Sequence, residues 1–371
     1  MKIIVGMSGG VDSTVTAYLL KKEGHEVVGA NFDFAKSNDK KDLEAIKNSL
    51  HIKMVYKDYI DEFRKKVISE FVNDYESGIT PNPCALCNSV MKFEKLMEVM
   101  KEENADMVAT GHYANVVRLN DTYAIRKSAN TKKDQSYMLY RLNQNQLSHI
   151  IFPLGDMDKT EVKNIAKNLN LKIEEKKESQ DICFVNKDID YIEFIKRYEF
   201  GDNYKENIAL GKMDAKEIDA LPFFKKGEFV DLNGKVLGYH NGIINYTIGQ
   251  RRGINIAFGE RRFVCKIDAK LNKVVLGNNE DLFSDSLMVY DIVFSGISEK
   301  NFLENFKELH PIVKVRYRHA GTRCSVSEIN YENGKLTISI KLDEKVRAIT
   351  SGQAAVFYDE DDSIIFGGRI K

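Results

Sequence analysis

The chain has 371 residues, of which 43% are hydrophobic and 30% charged, and its formal net charge is +0. This length predicts two or three domains, and the composition is typical of proteins that bury apolar cores. No apolar run approaches the roughly 18 residues that cross a membrane, and Ile3–Val5 is too short for a signal peptide. The sequence therefore predicts a cytoplasmic protein with no membrane partner. Five cysteines without a secretory signal predict buried, reactive or metal-binding thiols rather than a disulfide framework.

The first half of the chain alternates strand-like and helix-like segments, which predicts a parallel sheet with helices on both faces. The predicted strands are Ile3–Val5, Glu26–Phe32, Lys53–Tyr56 and Asp106–Thr110. The predicted helices are Val11–Lys22, Asp42–Leu50, Asp58–Glu76, Val90–Glu103 and Lys159–Leu169. A loop rich in Pro, Asn and Cys is expected at Gly78–Ser89.

Short strands dominate after about residue 200. The tight-turn pairs there are Asn233-Gly234, Asn241-Gly242 and Asn333-Gly334. The predicted strands are Ile312–Tyr317, Cys324–Tyr331, Lys335–Leu342, Ala354–Tyr358 and Ser363–Ile370. The whole pattern predicts an α/β fold: a doubly wound parallel sheet in residues 1–205, a small mixed central domain in 206–285 and a C-terminal β-barrel in 286–371.

A glycine-rich loop joins the first strand to the first helix, and its residues are Gly6, Met7, Ser8, Gly9, Gly10, Val11, Asp12 and Ser13. Glycines let the backbone approach phosphate oxygens, and a helix N-terminus offers N–H donors and a favourable dipole. No Gly-Lys-Ser/Thr follows, so this is not a Walker A loop. The alternative interpretation, a plain glycine turn before a helix, leaves the string Ser-Gly-Gly-x-Asp-Ser unexplained.

Two other strand ends are expected at the same edge of the sheet, because ligands of open α/β sheets bind beyond the carboxyl ends of the strands. Phe32 ends the second predicted strand, where an adenine could rest, and Gly111 and His112 follow the fourth. Asp12 can help to place a magnesium ion. His112 is equally compatible with a purely structural role.

Two cysteines stand out by position. Cys87 lies in the Pro-rich loop just before a predicted helix, whose N-terminal dipole would favour a thiolate, and Cys183 lies in a polar loop. For each, the alternative is a small buried apolar residue. Cys84 and Cys87 have zinc-ligand spacing, but no second such pair completes four ligands. Cys265 and Cys324 fall within predicted strands and are expected in the core.

Seven motifs in this order resemble those of the bacterial tRNA-specific 2-thiouridylases, ATP pyrophosphatases of the adenine-nucleotide α-hydrolase-like fold. They are Ser8–Ser13, Thr80–Pro83 with Cys87-Asn88, Ala109–Tyr113, Lys133–Tyr137, Ile182–Phe184, Thr247–Arg251 and Ser351–Ala354. They span nearly the whole chain. Unrelated pyrophosphatases share only the first.

This resemblance implies an ATP- and Mg²⁺-dependent enzyme that adenylates the C2 oxygen of the wobble uridine of a tRNA. Cys183 would receive a persulfide sulfur from a carrier protein or a cysteine desulfurase, and Cys87 would act as nucleophile or resolving thiol. The residues expected to contact the tRNA are Asn82, Pro83, Cys84, His112, Lys133, Asp134, Gln135, Arg316, Tyr317 and Gln353.

One residue departs from the family pattern. Many members carry an aspartate where this chain has Cys84, so the assisting acid or base is missing here. Three converging thiolates, from Cys84, Cys87 and Cys183, would instead suffice to hold a 4Fe–4S cluster with one iron open to sulfide. That cluster is the alternative sulfur carrier.

Lys314, Arg316 and Arg318 alternate with apolar residues, and on a strand they would form one basic stripe suited to phosphates. A solvated outer face of a barrel would have the same pattern. Two other functions use the same loop: an ATP-dependent ligase acting on a small metabolite, which would not need the cysteines, and a nucleotide-binding thiol sensor without turnover.

Overall fold

The N-terminal part of the protein is built on a parallel sheet. The computed structural model describes residues 1–35, 40–169, 182–254, 256 and 259–371. The first strands are β1 Lys2–Gly6, β2 Glu26–Asp33, β3 Lys53–Asp58, β4 Met107–Ala109, β5 Ala114–Leu119, β6 Thr122–Lys127 and β7 Ile150–Ile151. Five of them form a sheet in the order β3-β2-β1-β4-β7, with every neighbouring pair parallel, and β5 and β6 form a separate antiparallel hairpin. The predicted parallel sheet is confirmed.

Helices cover this sheet, and two π-helical segments connect pairs of them. They are α1 Val11–Lys22, α2 Lys40–Leu50, α3 Ile60–Phe63, α4 Ser69–Glu76, α5 Pro83–Cys87, α6 Glu94–Glu102, α7 Gln144–Leu147 and α8 Lys159–Asn168. A π-helical segment, Arg64–Ile68, joins α3 to α4, and another, Asn88–Phe93, joins α5 to α6. The long helix predicted from Asp58 to Glu76 is thus a single run with a π-helical middle.

The predicted loop Gly78–Ser89 is wrong in its second half, because Pro83 to Cys87 are helical. Asn82 caps this helix, and its Oδ1 accepts the N–H of Ala85 at 3.3 Å. Pro83 occupies the first turn, where a missing N–H costs nothing. Cys87 therefore ends one helical segment and leads directly into the next, instead of preceding a helix N-terminus.

The central part is a small mixed unit. Its elements are α9 Tyr191–Phe200, α10 Tyr204–Ala209, α11 Lys216–Ala220, β8 Gly227–Val230, β9 Val236–His240, β10 Phe263–Asp268 and β11 Lys273–Gly277. The strands pair in the order β10-β11-β8-β9. Asn233-Gly234 lies in the turn between the antiparallel strands β8 and β9, as its sequence predicts.

The C-terminal part is a closed barrel. Its elements are β12 Phe283–Phe294, α12 Glu299–Asn305, β13 Ile312–Lys314, β14 Thr322–Glu332, β15 Lys335–Arg347, β16 Ala354–Tyr358 and β17 Ile364–Ile370, and the strand order is β12-β15-β14-β13-β16-β17. Asn333-Gly334 makes the hairpin between β14 and β15, with φ of 50° and 76°. The strand predicted for Ile312–Tyr317 ends at Lys314, so the expected basic stripe does not form: Arg316 lies in a bend.

The barrel shares a hydrophobic core with the sheet. Tyr137 and Tyr140, which follow the hairpin of β5 and β6, pack in one buried cluster with Val356 and Tyr358 of β16 and with side chains of β1, β2 and β4. The barrel and the sheet therefore pack against each other through this common core. Within the described ranges, no helix is long and apolar enough to span a bilayer.

Candidate active site

The glycine-rich loop after β1 has the geometry of an anion cradle. Gly9 adopts φ +74°, a left-handed conformation that glycine tolerates best, and Gly10 precedes α1 without a side-chain cap. The hydroxyls of Ser8 and Ser13 lie 3.2 Å apart, and the Ser8 N–H donates to the Ser13 Oγ at 3.3 Å. Backbone amides, two hydroxyls and an uncapped helix end thus converge on one spot.

The ends of β2 and β4 flank this loop as the sequence predicts. Phe32, on β2, is half-buried and meets Tyr59 edge to face, with ring centroids 5.4 Å apart. Gly111 follows β4 and packs against the first turn of α1 so closely that a Cβ there would lie 2.7 Å from the Asp12 carbonyl carbon. Only glycine fits this contact.

Asp12, in the first turn of α1, has two partners from distant parts of the chain. The Lys159 Nζ lies 2.7 and 2.8 Å from its two carboxylate oxygens, and the Tyr113 hydroxyl donates to Oδ1 at 2.8 Å. Lys159 is the first residue of α8, and Asp158 caps that helix by accepting the Thr160 N–H at 2.7 Å. Asp12 is therefore fixed at the mouth of the loop.

The three candidate sulfur-handling cysteines lie near one another. Cys84 and Cys183 are exposed and Cys87 is half-buried. They lie close enough that negative charge on Cys183 or Cys84 would raise the pKa of Cys87. The segment after Cys183 is anchored by Phe184, whose ring meets Phe63 and Phe71 edge to face at 5.7 and 5.1 Å.

Desolvation, not a helix dipole, controls these thiols. It raises the pKa of Cys87 to about 12 and raises that of Cys84 and Cys183 as well, although the last two reach the surface. The expected low-pKa thiolate at Cys87 is therefore wrong for the ligand-free protein. Lys92 acts in the opposite sense and lowers the pKa of all three. Asn88 holds Lys92 through an Nζ–Oδ1 hydrogen bond of 3.0 Å.

The described part of the chain contains no group of three His, Cys, Asp or Glu side chains placed to hold a metal ion. Cys84, Cys87 and Cys183 influence one another's charge, but in this arrangement they do not form a ligand set. The iron–sulfur cluster that the sequence suggests as an alternative therefore stays a prediction.

His112 is a half-buried, neutral side chain. Its Nδ1 lies 2.7 Å from the Thr110 hydroxyl, and its ring sits between Phe93 and Phe152 with centroids 5.8 and 5.9 Å away. Desolvation, aided by Lys92, moves its pKa well below the usual value. At neutral pH the ring can therefore exchange hydrogen bonds but carries no charge.

Several predicted tRNA-contacting residues are brought together by the barrel. The Tyr317 hydroxyl, from the bend after β13, donates to the backbone oxygen of Asp134 at 2.9 Å. Exposed Arg316 donates to the Arg347 carbonyl at 2.9 Å, and Lys133 is half-buried beside Asp134. A bend of the barrel thus meets the Lys133–Gln135 segment.

Asp134 and Gln135 face inward. The Asp134 carboxylate accepts hydrogen bonds from the Ser128 N–H and from the N–H and hydroxyl of Ser136. The Gln135 Oε1 accepts the Tyr113 N–H at 2.9 Å. These two side chains therefore hold neighbouring segments in place through internal hydrogen bonds.

Gln353 braces the loop that carries Asn82 and Pro83. Its Nε2 donates to the carbonyls of Thr80 and Pro81 at 3.2 and 3.0 Å. Its neighbour Gly352 has φ +89°, and a Cβ there would lie 2.6 Å from the Thr80 oxygen. The barrel therefore sets the position of the loop leading to α5.

Two lysines near the candidate site, Lys92 and Lys159, were not predicted from the sequence. Lys92 follows Asn88 at the i+4 spacing that brings helical side chains together, which was a readable signal. Lys159 lies at a predicted helix start. Its partner Asp12 is 147 residues away in the sequence, so no local pattern predicts the pairing.

A parallel sheet whose first turn reads Ser-Gly-Gly-x-Asp-Ser defines a nucleotide-using α/β enzyme of the PP-loop superfamily. A family described as tRNA methyl transferase HUP domain matches residues 1–187. Two further families match the rest of the chain, a tRNA methyl transferase PRC-barrel domain at residues 219–278 and an aminomethyltransferase beta-barrel domain at residues 284–370.

Relatives match the chain from end to end. The tRNA-specific 2-thiouridylase MnmA 1 of Clostridium tetani is 41% identical over 383 residues, which cover 100% of this chain and 96% of the relative. The MnmA proteins of Clostridium acetobutylicum and Clostridioides difficile are 37% and 38% identical, with 100% of this chain and 99% and 97% of the relatives covered. The chain belongs to the bacterial tRNA-specific 2-thiouridylase family, whose enzymatic class is tRNA-uridine 2-sulfurtransferase.

Similarity to solved structures is too low to support the family assignment. A 4-thiouridine synthetase in complex with RNA and ATP, for example, is 16% identical with a TM-score of 0.34, over 49% of this chain and 44% of that chain. The family assignment depends on the full-length relatives.

Proposed function

We propose that this chain uses ATP to replace the C2 oxygen of a tRNA wobble uridine with sulfur, and that Cys183 carries the sulfur as a persulfide. The observation that supports this assignment is that Cys183 lies near enough to Cys87 for its negative charge to raise the pKa of Cys87. Residues 1–205, 206–285 and 286–371 are the proposed catalytic, central and tRNA-contacting domains.

ATP would bind with its adenine near Phe32 and its phosphates on the loop from Gly6 to Ser13. The left-handed turn at Gly9 and the uncapped start of α1 support this placement. The Asp12 carboxylate is the oxygen donor that would hold Mg²⁺, which supplies charge neutralisation for the phosphates when bound. Gly111 brings the end of β4 against the same turn.

The first chemical step makes the uridine oxygen a leaving group. The C2 oxygen attacks the α-phosphorus of ATP, pyrophosphate leaves with the electron pair of the broken P–O bond, and the N3 proton is lost. The terminal sulfur of the Cys183 persulfide then attacks C2, and AMP departs with the former uridine oxygen.

The second step frees the product. The Cys87 thiolate attacks the Cys183 sulfur of the adduct, so the S–S bond breaks and its outer sulfur stays on C2 as 2-thiouridine. The two cysteines are oxidised to a disulfide while the transferred sulfur is reduced. The cycle therefore needs a persulfide donor, from a carrier protein or a cysteine desulfurase, and an external dithiol.

The uridine would leave its stack and enter beside Asn82 and Pro83. The Asn82 Nδ2 is buried and has no hydrogen-bond partner among the residues that the structure describes, and such an amide is the donor that a uracil carbonyl requires. Asn82 and Pro83 line a recess together with Tyr140 and Arg141. Cys84, one residue on, and His112, Lys133 and Arg316 are proposed to complete the RNA contacts.

The test is mass spectrometry of nucleosides from tRNA incubated with the enzyme, ATP and a persulfide. Wild type and the control Cys265→Ser should yield 2-thiouridine and AMP, because Cys265 lies in β10, outside the site. Cys183→Ser and Cys87→Ser should yield none, and Cys84→Ser should remain active. No 2-thiouridine from wild type with either persulfide or sulfide would refute the function.

The same experiment separates the two sulfur carriers. If Cys84→Ser abolishes thiolation and anaerobically reconstituted protein contains iron and absorbs near 400 nm, then a cluster carries the sulfur. If Cys84→Ser is active and iron is absent, then the persulfide route stands.

A further inference from the structure

Cys183 lies on a closed turn of four residues. The Val185 N–H donates to the Ile182 carbonyl at 3.1 Å, so Cys183 and Phe184 occupy the two central positions of the turn. Cys183 is exposed, whereas the other three residues of the turn are half-buried. Because the hydrogen bond closes the backbone around the two central residues, a contact that holds the Phe184 ring also limits where the Cys183 thiol can lie.

The Phe184 ring lies among three aromatic rings from three helices. Phe63 of α3, Phe71 of α4 and Phe194 of α9 form this aromatic socket. The first two rings meet Phe184 edge to face with centroids 5.7 and 5.1 Å away, and the third lies tilted at 5.4 Å. Phe63 and Phe71 are almost fully buried, and ring pairs at these spacings attract one another. An exposed turn is therefore anchored in the core.

The same part of the core supports Cys87. Three buried residues form a small cluster there: Phe63, Val67 and Met91. Cys87 and Phe184 both pack against this cluster. Val67 and Met91 each lie in one of the two π-helical segments, and such segments often occur at functional sites. One set of buried side chains thus places Cys87 and the anchor of Cys183 relative to each other.

The proposed sulfur transfer ends in a disulfide between Cys87 and Cys183, a bond that tolerates little variation in geometry. The two Cα atoms of a disulfide lie about 4.4–6.8 Å apart. Cys87 is placed by the helix α5, whereas Cys183 lies on a surface turn. A turn without an anchor samples many positions, which lowers the effective concentration of its thiol at a fixed partner.

We propose that Phe184 is a positioning residue for sulfur transfer: its ring, held in the aromatic socket, keeps Cys183 within reach of Cys87. The inference rests on the proposed function, because that function makes Cys183 the sulfur carrier and Cys87 the resolving thiol. Phe184 acts through the backbone of the turn. The cluster beneath Cys87 and Phe184 then sets the separation of the two thiols.

The test measures how readily the two thiols pair. Every protein carries Cys84→Ser, which removes the third thiol of the site, and is equilibrated with reduced and oxidised glutathione, alkylated and mapped by mass spectrometry. As the Cys87–Cys183 bond forms, oxidised glutathione takes up two electrons and two protons and leaves as two molecules of reduced glutathione. Phe184→Ala should lower the equilibrium constant for this disulfide by about tenfold or more, because the turn loses its anchor.

Two further variants calibrate this result. Phe184→Leu keeps apolar volume but loses the ring, so its equilibrium constant should lie between those of wild type and Phe184→Ala, and it serves the same test if the alanine variant does not fold. Phe200→Ala is the matched control, because it removes a ring from the end of α9 at its contact with Tyr204, with centroids 6.5 Å apart. Its equilibrium constant should equal that of wild type.

Turnover gives a second measurement. Phe184→Ala should lower kcat for thiolation by a factor similar to its effect on the disulfide, while KM for ATP and for tRNA stays within about twofold of wild type. A ring that only stabilises the fold would leave kcat of the folded enzyme unchanged.

Two outcomes would overturn the inference. An equilibrium constant for Phe184→Ala equal to that of Phe200→Ala would mean that the ring only fills space, and failure of wild type to form the Cys87–Cys183 disulfide would mean that the two thiols do not pair. The glutathione equilibrium needs neither ATP nor tRNA. A lack of 2-thiouridine would therefore refute the proposed function without changing this measurement, so the two failures are distinguishable.

Discussion

Lys92 shows how one charged side chain adjusts a group of thiols. It lies in the π-helical segment Asn88–Phe93, and Asn88 in turn donates through Nδ2 to the Met138 carbonyl at 2.9 Å. Its ammonium lowers the pKa of Cys84, Cys87 and Cys183, while desolvation raises the same pKa values and is the larger effect at each. The thiols therefore rest in their protonated form.

The first prediction concerns these thiols. In ligand-free wild type, alkylation of Cys87 by iodoacetamide should rise about tenfold per pH unit from pH 7 to 10 without levelling, because its pKa is about 12. Lys92→Met removes the favourable charge, so alkylation should slow by about threefold or more at fixed pH. Peptide mapping measures each cysteine. Lys101→Met, on exposed α6 surface, is the control; equal rates in the Lys92 and Lys101 variants would contradict the idea.

Sequence reasoning succeeded where the signal was local. The turn before α1, the helix α1 itself and the hairpin at Asn333-Gly334 depend on adjacent residues, and the structure confirms all three. The prediction of a loop around Cys87 was wrong, because the prolines and cysteines were interpreted as signs of irregular structure. Asn82 followed by Pro83 is in fact a recognisable start of a helix. The site contacts of Lys159 and Gln353 could not be predicted, since their partners lie 147 and 272 or more residues away.

At the scale of elements, the turn before β16 holds the loop before α5. Gly352 allows close approach, Gln353 supplies two hydrogen bonds, and the Thr80 N–H donates to the Ser351 carbonyl at 3.0 Å. Asn82, which caps α5, follows two residues later. One turn of the barrel therefore fixes the loop that leads to Cys84 and Cys87.

The second prediction tests this turn. Gln353→Ala should loosen residues 79–88, so hydrogen exchange there should speed up while exchange in β1 and β2 stays unchanged. Loss of two hydrogen bonds should cost about 1–2 kcal/mol of stability. The thiolation rate should fall while the affinity for ATP is kept. Asn330→Ala, an exposed amide on β14, is the control. Unchanged exchange at 79–88 would show that the brace is dispensable.

At the scale of the whole molecule, an ionic clamp joins β17 to α4. The Arg369 guanidinium binds both Asp74 oxygens at 2.6 Å and Glu70 at 2.8 Å, and it lies over the Tyr290 ring at 5.7 Å. The Asp74 side chain is only 10% exposed. Desolvation raises the pKa of Asp74 even though Arg369 lowers it.

The third prediction follows from these opposing effects on the pKa of Asp74. Arg369→Leu leaves a buried carboxylate unpaired and should cost about 3 kcal/mol or more at pH 8. Without the cation the pKa of Asp74 rises further, so the folded state binds its proton more tightly than the unfolded state does. The destabilisation should therefore shrink as the pH falls from 8 toward 5.

Urea unfolding at both pH values measures this effect. Adding Asp74→Asn to the Arg369→Leu variant should recover much of the loss at pH 8, because a neutral amide needs no counter-charge. A destabilisation that is the same at pH 5 and pH 8 would mean that Arg369 acts through packing alone.

The brace at Gln353 also has a consequence for synthesis of the chain. The residues that position the Asn82 loop, Ser351 to Gln353, emerge from the ribosome some 270 residues after the loop itself. The contacts that fix residues 79–88 can therefore form only after these late residues have been synthesised. Chains that end before Ser351 are therefore expected to be unable to transfer sulfur, because the brace on this loop forms only when the barrel closes.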